Sequence, residues 1–415
     1  MSSKTIAFHT FGCKVNQYET EELRSLLHSG DFQVVPEEQA ADVYVINSCT
    51  VTEEADRSCR QLIRKLLREH PEARVLVTGC YAERSAVELR AVSPRVEVFG
   101  NREKPLVAVA LGMPASCIEN AARRDGVLLA DRTRATIKIQ DGCDGPCTYC
   151  IVPSVRPVMV CRPPTLVLDE ARTYLARGFR EIVLTGVRLG RYEWTGDDVP
   201  WDLATLIQRL TELPGDFRIR LSSIEVTEMS NALIALAASQ PKLCPFFHIP
   251  LQSGDDRVLK RMGRWYTAGR YRSLIHEIRR RIPDVALSTD VIVGFPGEEQ
   301  EHFENTKRFL MEEAFSRIHV FRYSVRPGTP AERLSDQVNP QTKSQRCRTL
   351  LQLDLHLRQR FANRFLNRPV RVLLESLSSG YTEHYVRVRS RDPIPEGEFR
   401  TIHPTEIGSD AVLIA

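Results

Sequence analysis

Apolar residues in the first hundred positions occur either in short continuous runs or three and four residues apart. The short runs predict β-strands, and the longer periodic stretches predict amphipathic α-helices. The predicted order is strand 5–9, helix 20–27, strand 43–47, helix 53–68, strand 75–78, helix 83–92 and strand 96–99. This alternation is typical of a doubly wound α/β domain, which we assign to residues 1–121.

A second alternation of strands and helices follows a polar, basic stretch at 123–131, where we place the domain boundary. The predicted strands are 136–139, 181–184, 218–221, 246–249, 287–293 and 318–323, with helices such as 168–176, 203–213 and 271–280 between them. Six such repeats predict a partial (β/α)6 barrel over residues 132–340, with its chemistry in the loops after the strands.

The last part of the chain contains two different patterns of apolar and polar residues. Residues 341–366 belong to a charged pattern that predicts an exposed helical connector. Short strands at 370–374, 385–388 and 411–414, with glycines and prolines between them, then predict a small OB-like β-barrel over residues 367–415. Such barrels commonly bind nucleic acid, although a purely structural lid has the same pattern.

Composition and charge narrow the class of protein. The 415 residues are 42% hydrophobic and 27% charged, which is ordinary for a globular protein. We find no apolar run long enough for a signal peptide or a membrane span, so we expect a cytoplasmic protein with no membrane partner. The net charge of +4 is weak, but nine Lys and Arg against one acid between 257 and 281 fit either a polyanion partner or a solvated helix face.

Three cysteines lie close together directly after the first strand of the predicted barrel, at Cys143, Cys147 and Cys150. Three thiolates in a loop rich in glycine and proline can bind three irons of a cubane cluster and leave the fourth iron open. A structural zinc site needs a fourth Cys or His, normally in a second close pair, and none lies near. Core cysteines would be more scattered, and disulfides do not suit a chain without a secretory leader.

Three further cysteines each follow a predicted strand of the N-terminal domain, namely Cys13, Cys49 and Cys80. Loops after the strands of an open parallel sheet converge at one edge, so these three thiols can meet in space. Three unrelated buried cysteines remain the alternative. Cys59 lies inside a predicted helix and Cys117 in a linker, so neither shares this placement.

Small and polar residues recur in the loops after the barrel strands. Such loops suit a polar organic cofactor, because glycine allows close approach and hydroxyl or carboxylate groups can bind a ribose and an amino acid. Tight turns explain any one of the glycines equally well. Our candidates for cofactor binding are Tyr149, Gly186, Ser222, Ser223, Glu225 and Gln252.

The spacing Cys-x3-Cys-x2-Cys at 143–150 matches the motif of the radical S-adenosylmethionine enzymes. Together with Cys13, Cys49 and Cys80, the chain resembles the methylthiotransferase family almost from end to end. Further matches are the segments 222–225, 248–254, 289–298 and 321–330. The segments Phe11-Gly-Cys-Lys-Val-Asn-Gln-Tyr-Glu19 and Gly380-Tyr-Thr-Glu-His-Tyr-Val386 resemble the branch that acts on threonylcarbamoyladenosine in tRNA, and the closing β segment resembles its TRAM domain. The chain departs from the family pattern at Pro157, Cys161 and Arg188.

The resemblance implies an enzyme with two [4Fe-4S] clusters, one on Cys143, Cys147 and Cys150 and an auxiliary one on Cys13, Cys49 and Cys80. It implies reductive cleavage of S-adenosylmethionine at the open iron and transfer of a methylthio group to C2 of the modified adenine at tRNA position 37. The implied partners are the tRNA anticodon stem-loop, an electron donor such as flavodoxin or ferredoxin, and a sulfur source. No side chain is predicted to act as a general base. A ribosomal protein side chain as the substrate, or a non-catalytic iron-sulfur RNA-binding protein, remain the alternatives.

Overall fold

The computed structural model describes residues 4–28, 32–115, 133–196 and 200–415. The predicted boundary at 123–131 and Cys117 lie outside these residues. Across the described chain, no helix is both long and apolar enough to cross a membrane.

The N-terminal part contains a parallel sheet in the order β2-β1-β3-β4-β5. Its strands are β1 Lys4–Thr10, β2 Phe32–Val34, β3 Val43–Ser48, β4 Arg74–Gly79 and β5 Val96–Val98, and its helices are α1 Lys14–His28, α2 Glu53–Glu69, α3 Cys80–Val92 and α4 Leu106–Ala110. Alternate residues of β3 enter different cores, Val43 and Val45 on one face and Tyr44 and Ile46 on the other. Both faces of the sheet are therefore covered, as the doubly wound prediction requires.

Helix α2 begins where the sequence offers a capping group. The Thr52 side chain accepts a hydrogen bond from the backbone of Ala55 at 3.2 Å, and three acidic residues fill the first turn of α2. These groups satisfy free N–H donors and complement the helix dipole. Strand β2 was not predicted, since it has only three residues and two of them are exposed.

The central part forms the predicted partial barrel. Its strands are β6 Arg134–Asp141, β7 Val160–Cys161, β8 Glu181–Gly186, β9 Glu193–Trp194, β10 Trp201–Asp202, β11 Arg218–Leu221, β12 Phe246–His248, β13 Ala286–Val293 and β14 Arg317–Arg322. Its helices are α5 Val152–Val155, α6 Pro164–Ala176, α7 Leu203–Thr211, α8 Asn231–Ser239, α9 Asp256–Arg261, α10 Ala268–Arg281 and α11 Gln300–Glu313. Strands β6, β8 and β11 pair in parallel, as do β12, β13 and β14. Parallel bridges from Ile219 to Leu243 and from Ser223 to His248 join the two groups.

The helix after the barrel, α12 Pro340–Ala362, is less exposed than its charge pattern predicts. Leu350, Leu357 and Phe361 are buried, and the Asp354 carboxylate accepts a 2.6 Å hydrogen bond from the backbone of Ile318 in β14. The prediction of an exposed connector is wrong for this face of the helix, because apolar residues at helical spacing pack it onto the barrel.

The chain ends in a six-stranded sheet in the order β18-β15-β16-β17-β20-β19. The strands are β15 Val370–Ser376, β16 Ser379–Thr382, β17 Arg387–Arg389, β18 Phe399–Ile402, β19 Glu406–Ile407 and β20 Leu413–Ile414. The strand predicted at 385–388 begins only at Arg387, because Tyr385 adopts a left-handed backbone with φ of 61°. This turn conformation ends regular pairing before Arg387.

The C-terminal sheet covers the end of the barrel at which the parallel strands begin. Arg218 and Arg220, from the start of β11, donate hydrogen bonds to the backbone oxygens of Tyr381 at 3.0 Å and Glu383 at 2.9 Å. Arg134, the first residue of β6, donates to the hydroxyl of Tyr385 at 3.0 Å. The cysteine loop follows the other end of β6, so the C-terminal sheet and the cysteine loop lie at opposite ends of the barrel.

Candidate active site

The loop with the three close cysteines follows β6 and is held by backbone hydrogen bonds on both sides. Cys143 N–H donates to Arg156 O at 2.9 Å, and Thr148 N–H donates to Met262 O at 2.9 Å. The turn needs glycine at position 142, where φ is 83° and a Cβ atom would lie 1.9 Å from Val158 O. The loop therefore has a set shape before anything binds to it.

The three thiols of this loop face one another and are all free. A Cβ atom at Gly145 would lie 3.2 Å from Cys143 Sγ and 3.8 Å from Cys147 Sγ, and the Gly145 N–H donates to Cys143 Sγ at 3.3 Å. Burial raises the pKa of Cys150 to about 12, and the charges of Cys147 and Cys143 also raise it. Thiolates this close are stable only beside compensating positive charge, which an iron cluster supplies.

The structure also brings together Cys13, Cys49 and Cys80, which follow β1, β3 and β4. A Cβ atom at Gly12 would lie 2.7 Å from the Cβ of Cys49, and Gly12 has φ of 97°. Burial raises the pKa of Cys49 to about 12, to which the charges of Cys80 and Cys13 also contribute. Cys13 is exposed to solvent while the other two are buried, so the group opens on the side of Cys13. Its geometry fits a second cluster with three protein ligands, which stays a prediction.

The two cysteine groups are neighbours. Cys80 packs against Ile151 and Val155, which follow Cys150 in the next five residues of the chain. Arg156 contacts both groups, since its Nε lies 3.4 Å from Cys80 Sγ while its carbonyl accepts the hydrogen bond from Cys143. The two cysteine groups therefore lie next to each other and are joined through Arg156.

Sequence reasoning missed the buried charges that join these two parts. Arg156 is 7% exposed, and its guanidinium donates to both carboxylate oxygens of Glu19 at 2.8 Å, to Asp141 and to the side-chain oxygen of Asn16 at 3.0 Å. The Glu19 carboxylate also pairs with Lys104 and Lys138. Burial alone would raise the pKa of Glu19, but these cations together hold it well below its usual value. Arg156 directly precedes Pro157, where the chain departs from the family pattern, but that departure alone does not indicate an ion pair.

Comparison with known proteins shows which family the chain belongs to. Residues 5–100 match the model of the uncharacterized protein family UPF0004, and residues 137–310 match that of the radical SAM superfamily. The chain is 39% identical over 411 residues to the threonylcarbamoyladenosine tRNA methylthiotransferase MtaB of Bacillus subtilis, a match covering 92% of this chain and 90% of that protein. The protein of the same name from Thermotoga maritima is 35% identical over 99% of this chain and 96% of its own length.

The chain belongs to the radical S-adenosylmethionine methylthiotransferase family. It is thus an enzyme that uses S-adenosylmethionine and [4Fe-4S] clusters.

Relatives of a second kind and solved structures also match. The tRNA-2-methylthio-N(6)-dimethylallyladenosine synthase of Ehrlichia canis is 32% identical over 86% of this chain and 84% of its own length. Among solved structures, the radical S-adenosylmethionine methyltransferase TsrM of Kitasatospora setae, with cobalamin and a [4Fe-4S] cluster bound, has a TM-score of 0.58 at 15% identity and covers 79% of this chain and 77% of its own. At that identity the likeness concerns the fold alone.

Two of the candidate cofactor residues are linked to the loop of this methylthiotransferase that carries the three close cysteines. Glu225 forms an ion pair with Arg264, whose Nη1 lies 3.2 Å from Cys147 Sγ. The Tyr149 ring packs edge-on against Phe295 at a centroid distance of 6.4 Å, and burial raises its pKa well above the usual value. The contact of Arg264 with Cys147 could not be predicted from the sequence, because Arg264 is one of many basic residues in the run after residue 257.

The other cofactor candidates lie at the C-terminal ends of the barrel strands. Gly186 ends β8, Ser222 and Ser223 follow β11, and Gln252 follows β12. The Ser222 hydroxyl is buried and has no hydrogen-bond partner among the described residues, so a polar ligand at this end would satisfy it. Gln252 has φ of 65°, a conformation that is strained for this residue type. These features fit S-adenosylmethionine, although no described contact links these four residues to the cysteines.

Arg188 and its partners form a second group that sequence reasoning did not assemble. Its backbone N–H donates to Gln140 at 2.6 Å, its guanidinium donates to Glu228 at 2.8 Å, and it also pairs with Asp144 in the cysteine loop. The same guanidinium lies 5.6 Å from the centre of the Trp265 ring, which is 41% exposed. This arrangement holds an exposed aromatic ring at the mouth of the barrel.

The basic run at 257–281 is largely neutralised within the protein. Arg264 pairs with Glu225, and the other pairs are Arg261 with Asp336, Arg272 with Glu312, Arg279 with Glu313, and Arg280 and Arg281 with Glu277. Most of these guanidinium groups therefore satisfy local carboxylates, and the run offers less free positive charge than its sequence indicates.

Proposed function

We propose that this methylthiotransferase inserts a methylthio group at C2 of N6-threonylcarbamoyladenosine at position 37 of tRNA. The contact of Arg156 with both cysteine groups carries the proposal, because radical formation and sulfur delivery must act on the same base. The names of the Bacillus subtilis and Thermotoga maritima relatives support the choice of base.

In the proposed enzyme, Cys143, Cys147 and Cys150 hold one cluster and Cys13, Cys49 and Cys80 hold the other. Tyr149, Gly186, Ser222, Ser223, Glu225 and Gln252 bind S-adenosylmethionine. When bound, S-adenosylmethionine and the clusters would supply a carbon radical and a methylated sulfur for the reaction at C2. The protein contributes position and the exclusion of water, and we assign no side chain as a general base.

The tRNA anticodon stem-loop would meet the mouth of the barrel and the C-terminal sheet. Trp265 and Phe321 are 41% and 45% exposed, and single-stranded bases stack on such rings. Arg387 and Arg389 point outward from β17, where they would contact phosphates. We assign residues 1–121 to the auxiliary-cluster domain, 132–340 to the radical domain, 341–366 to the connector and 367–415 to a TRAM domain that binds RNA. A donor such as flavodoxin or ferredoxin would supply electrons, and a separate donor would supply sulfur.

Reconstituted protein tests the proposal with anticodon stem-loops carrying either threonylcarbamoyladenosine or dimethylallyladenosine. We expect 5′-deoxyadenosine from S-adenosylmethionine and a methylthio group on the threonylcarbamoyl substrate. Methylthiolation of the dimethylallyl substrate alone would show that the enzyme instead has the activity named for the Ehrlichia canis relative. No 5′-deoxyadenosine under reducing conditions would contradict every catalytic role.

A further inference from the structure

Two histidines and an aspartate lie together on three neighbouring barrel strands, and none of the roles above uses them. His248 belongs to β12, Asp290 to β13 and His319 to β14. His248 pairs in register with Ser288 of β13, and Asp290 pairs in register with His319. Because successive side chains of a strand point to opposite faces, Ser288 and Asp290 share one face with the two histidines.

The face that carries these side chains is the inner wall of the barrel. Phe247, Leu287 and Ile318 alternate with them along the same three strands. These apolar residues are buried in the core that also contains residues of helices α10 and α11. The polar side chains therefore point away from the helices and into the barrel, where His248, Asp290 and His319 are half-buried.

The ligand atoms of this cluster are close enough to share one metal ion. One nitrogen from each histidine and one oxygen of Asp290 all lie within 4.8 Å of one another. His248 Nε2 and the Asp290 oxygen are 3.1 Å apart. Ligand atoms about 2.1 Å from a tetrahedral Zn²⁺ lie about 3.4 Å from one another. Two of the three atoms already have this spacing, and rotation of the His319 side chain brings the third to it.

Ser288 supports His248 from the side opposite to Asp290. Its hydroxyl oxygen lies 2.8 Å from His248 Nδ1. A histidine that binds a metal through one nitrogen commonly donates the proton on its other nitrogen to such an oxygen. With that proton on Nδ1, the lone pair of Nε2 faces the Asp290 carboxylate. Two acceptors this close are stable only with a cation between them.

A hydrogen-bond network without a metal is the alternative arrangement of the same side chains. In it, Ser288 donates to His248 and His248 donates to Asp290. This network leaves out His319, although its ring centre lies 5.5 Å from that of His248. No hydrogen bond or ion pair joins the His319 side chain to another residue in the part of the chain that the structure describes. A shared ion uses both histidines and is therefore the better account.

The chemistry of the donors and the nearby charges indicate which ligands the site would take. Two imidazoles and one carboxylate suit Zn²⁺ and Fe²⁺, whereas Mg²⁺ and Ca²⁺ prefer oxygen ligands alone. The positive charges of Lys14 and Arg317 act on His319 and disfavour a cation that has no further ligand. They favour an anion, such as hydroxide or a carboxylate, as the fourth ligand.

We propose that His248, Asp290 and His319 bind one divalent transition-metal ion on the inner wall of the barrel. The ion keeps an open coordination position for an anionic ligand from the barrel interior. Ser288 is a positioning residue, because it acts through His248. The site contains no cysteine and does not depend on which RNA base the enzyme modifies.

Zinc binding to the protein with both clusters reconstituted tests this proposal. After a weak chelator has removed loosely bound ions, we expect one Zn²⁺ per chain besides about eight irons from two clusters. Zn²⁺ binds such sites more tightly than Fe²⁺, so it also displaces iron left there by reconstitution. X-ray absorption at the zinc edge should show nitrogen and oxygen ligands at about 2.0–2.1 Å and no sulfur at about 2.3 Å. This measurement distinguishes the site from cysteines, which also bind zinc.

Variants of the cluster identify the ligands. His319→Gln and Asp290→Asn should each abolish stoichiometric zinc binding. Ser288→Ala should weaken it about 10- to 100-fold, as expected when a ligating histidine loses its hydrogen-bond partner. His356→Gln is the control, because His356 is an exposed histidine of α12. Iron content checks the folding of every variant, and if a ligand variant loses iron, Ser288→Ala decides, since it removes no ligand.

Three results would overturn the proposal. They are unchanged zinc binding in both ligand variants, a sulfur shell around the zinc of the wild type, and less than about half a zinc per chain at micromolar free Zn²⁺. Equal zinc affinity of Ser288→Ala and the wild type would contradict the positioning role of Ser288. The test uses no RNA, so failure of the proposed function would leave its outcome unchanged.

Discussion

The guanidinium of Arg156 contacts the thiol of Cys80, with Nε 3.4 Å from Sγ, although 76 positions separate the two residues in the chain. The carbonyl of Arg156 also accepts the backbone hydrogen bond of Cys143 at 2.9 Å. One residue thus sets the position of one cysteine group relative to the other. This contact joins the two cysteine groups that we propose to act on one substrate.

Arg156→Met should weaken the auxiliary site more than the radical site. It removes one of the three cations that pair with the buried Glu19 carboxylate and leaves Lys104 and Lys138, so the cost should be at most about 3–5 kcal/mol, the value expected for breaking a buried ion pair. We expect iron bound by Cys13, Cys49 and Cys80 to decrease, measured as iron and sulfide in a Cys143, Cys147 and Cys150 triple alanine background. Arg156→Lys keeps the charge and should retain more iron. Equal iron in all three proteins would show that Arg156 has no such role.

Gly12→Ala should disturb the auxiliary site through a direct clash. Its φ is 97°, and the added Cβ would lie 2.7 Å from the Cβ of Cys49. Gly112→Ala is a matched control, because Gly112 has φ of 96° and nothing within 4 Å of the added atom. Both changes should cost about 1–3 kcal/mol of stability through backbone strain. Only Gly12→Ala should lower iron at the auxiliary site, and a similar loss in both variants would contradict the packing argument.

The parallel strands and the convergence of Cys13, Cys49 and Cys80 could be predicted from the sequence. Strand periodicity is a local pattern, and the loops after the strands of a parallel sheet lie at the same edge. The sequence did not indicate the contact of Arg156 with Cys80, since long-range ion pairs leave no periodic pattern. The sequence of the basic run at 257–281 indicates more free positive charge than the structure has. Acids such as Glu313, which pair with these arginines, come from other elements.

The two cysteine groups should load independently. Alanine at Cys143, Cys147 and Cys150 should leave about four irons per chain, and alanine at Cys13, Cys49 and Cys80 should do the same. Iron and sulfide analysis after reconstitution measures both. Fewer than about two irons in the first variant would rule out a separate auxiliary cluster.

Glu181→Gln should destabilise the junction between the barrel and the C-terminal sheet. Burial alone would raise the pKa of Glu181, but Arg220 and Arg218 outweigh it and lower the pKa to about 2. Because the folded pKa lies below the unfolded value of 4.5, this stabilisation is complete above about pH 4.5 and is lost as the pH falls towards 2.

Removal of this buried carboxylate should cost about 3–5 kcal/mol at pH 7. Denaturant unfolding of the wild type and the variant, both without clusters, measures the difference, which should shrink only below about pH 4.5. A difference that already disappears between pH 7 and 5 would contradict the assigned ion pairs. Arg371→Gln serves as a control, because the Arg371–Asp216 pair is exposed and should contribute little.

The most direct test of the central claim is mass spectrometry of tRNA nucleosides from a strain lacking this gene. The account predicts that 2-methylthio-threonylcarbamoyladenosine disappears while threonylcarbamoyladenosine accumulates. The wild-type gene should restore it, and variants with alanine at Cys80 or Cys147 should not. If the deletion strain keeps the methylthio group on threonylcarbamoyladenosine, the proposed function is wrong.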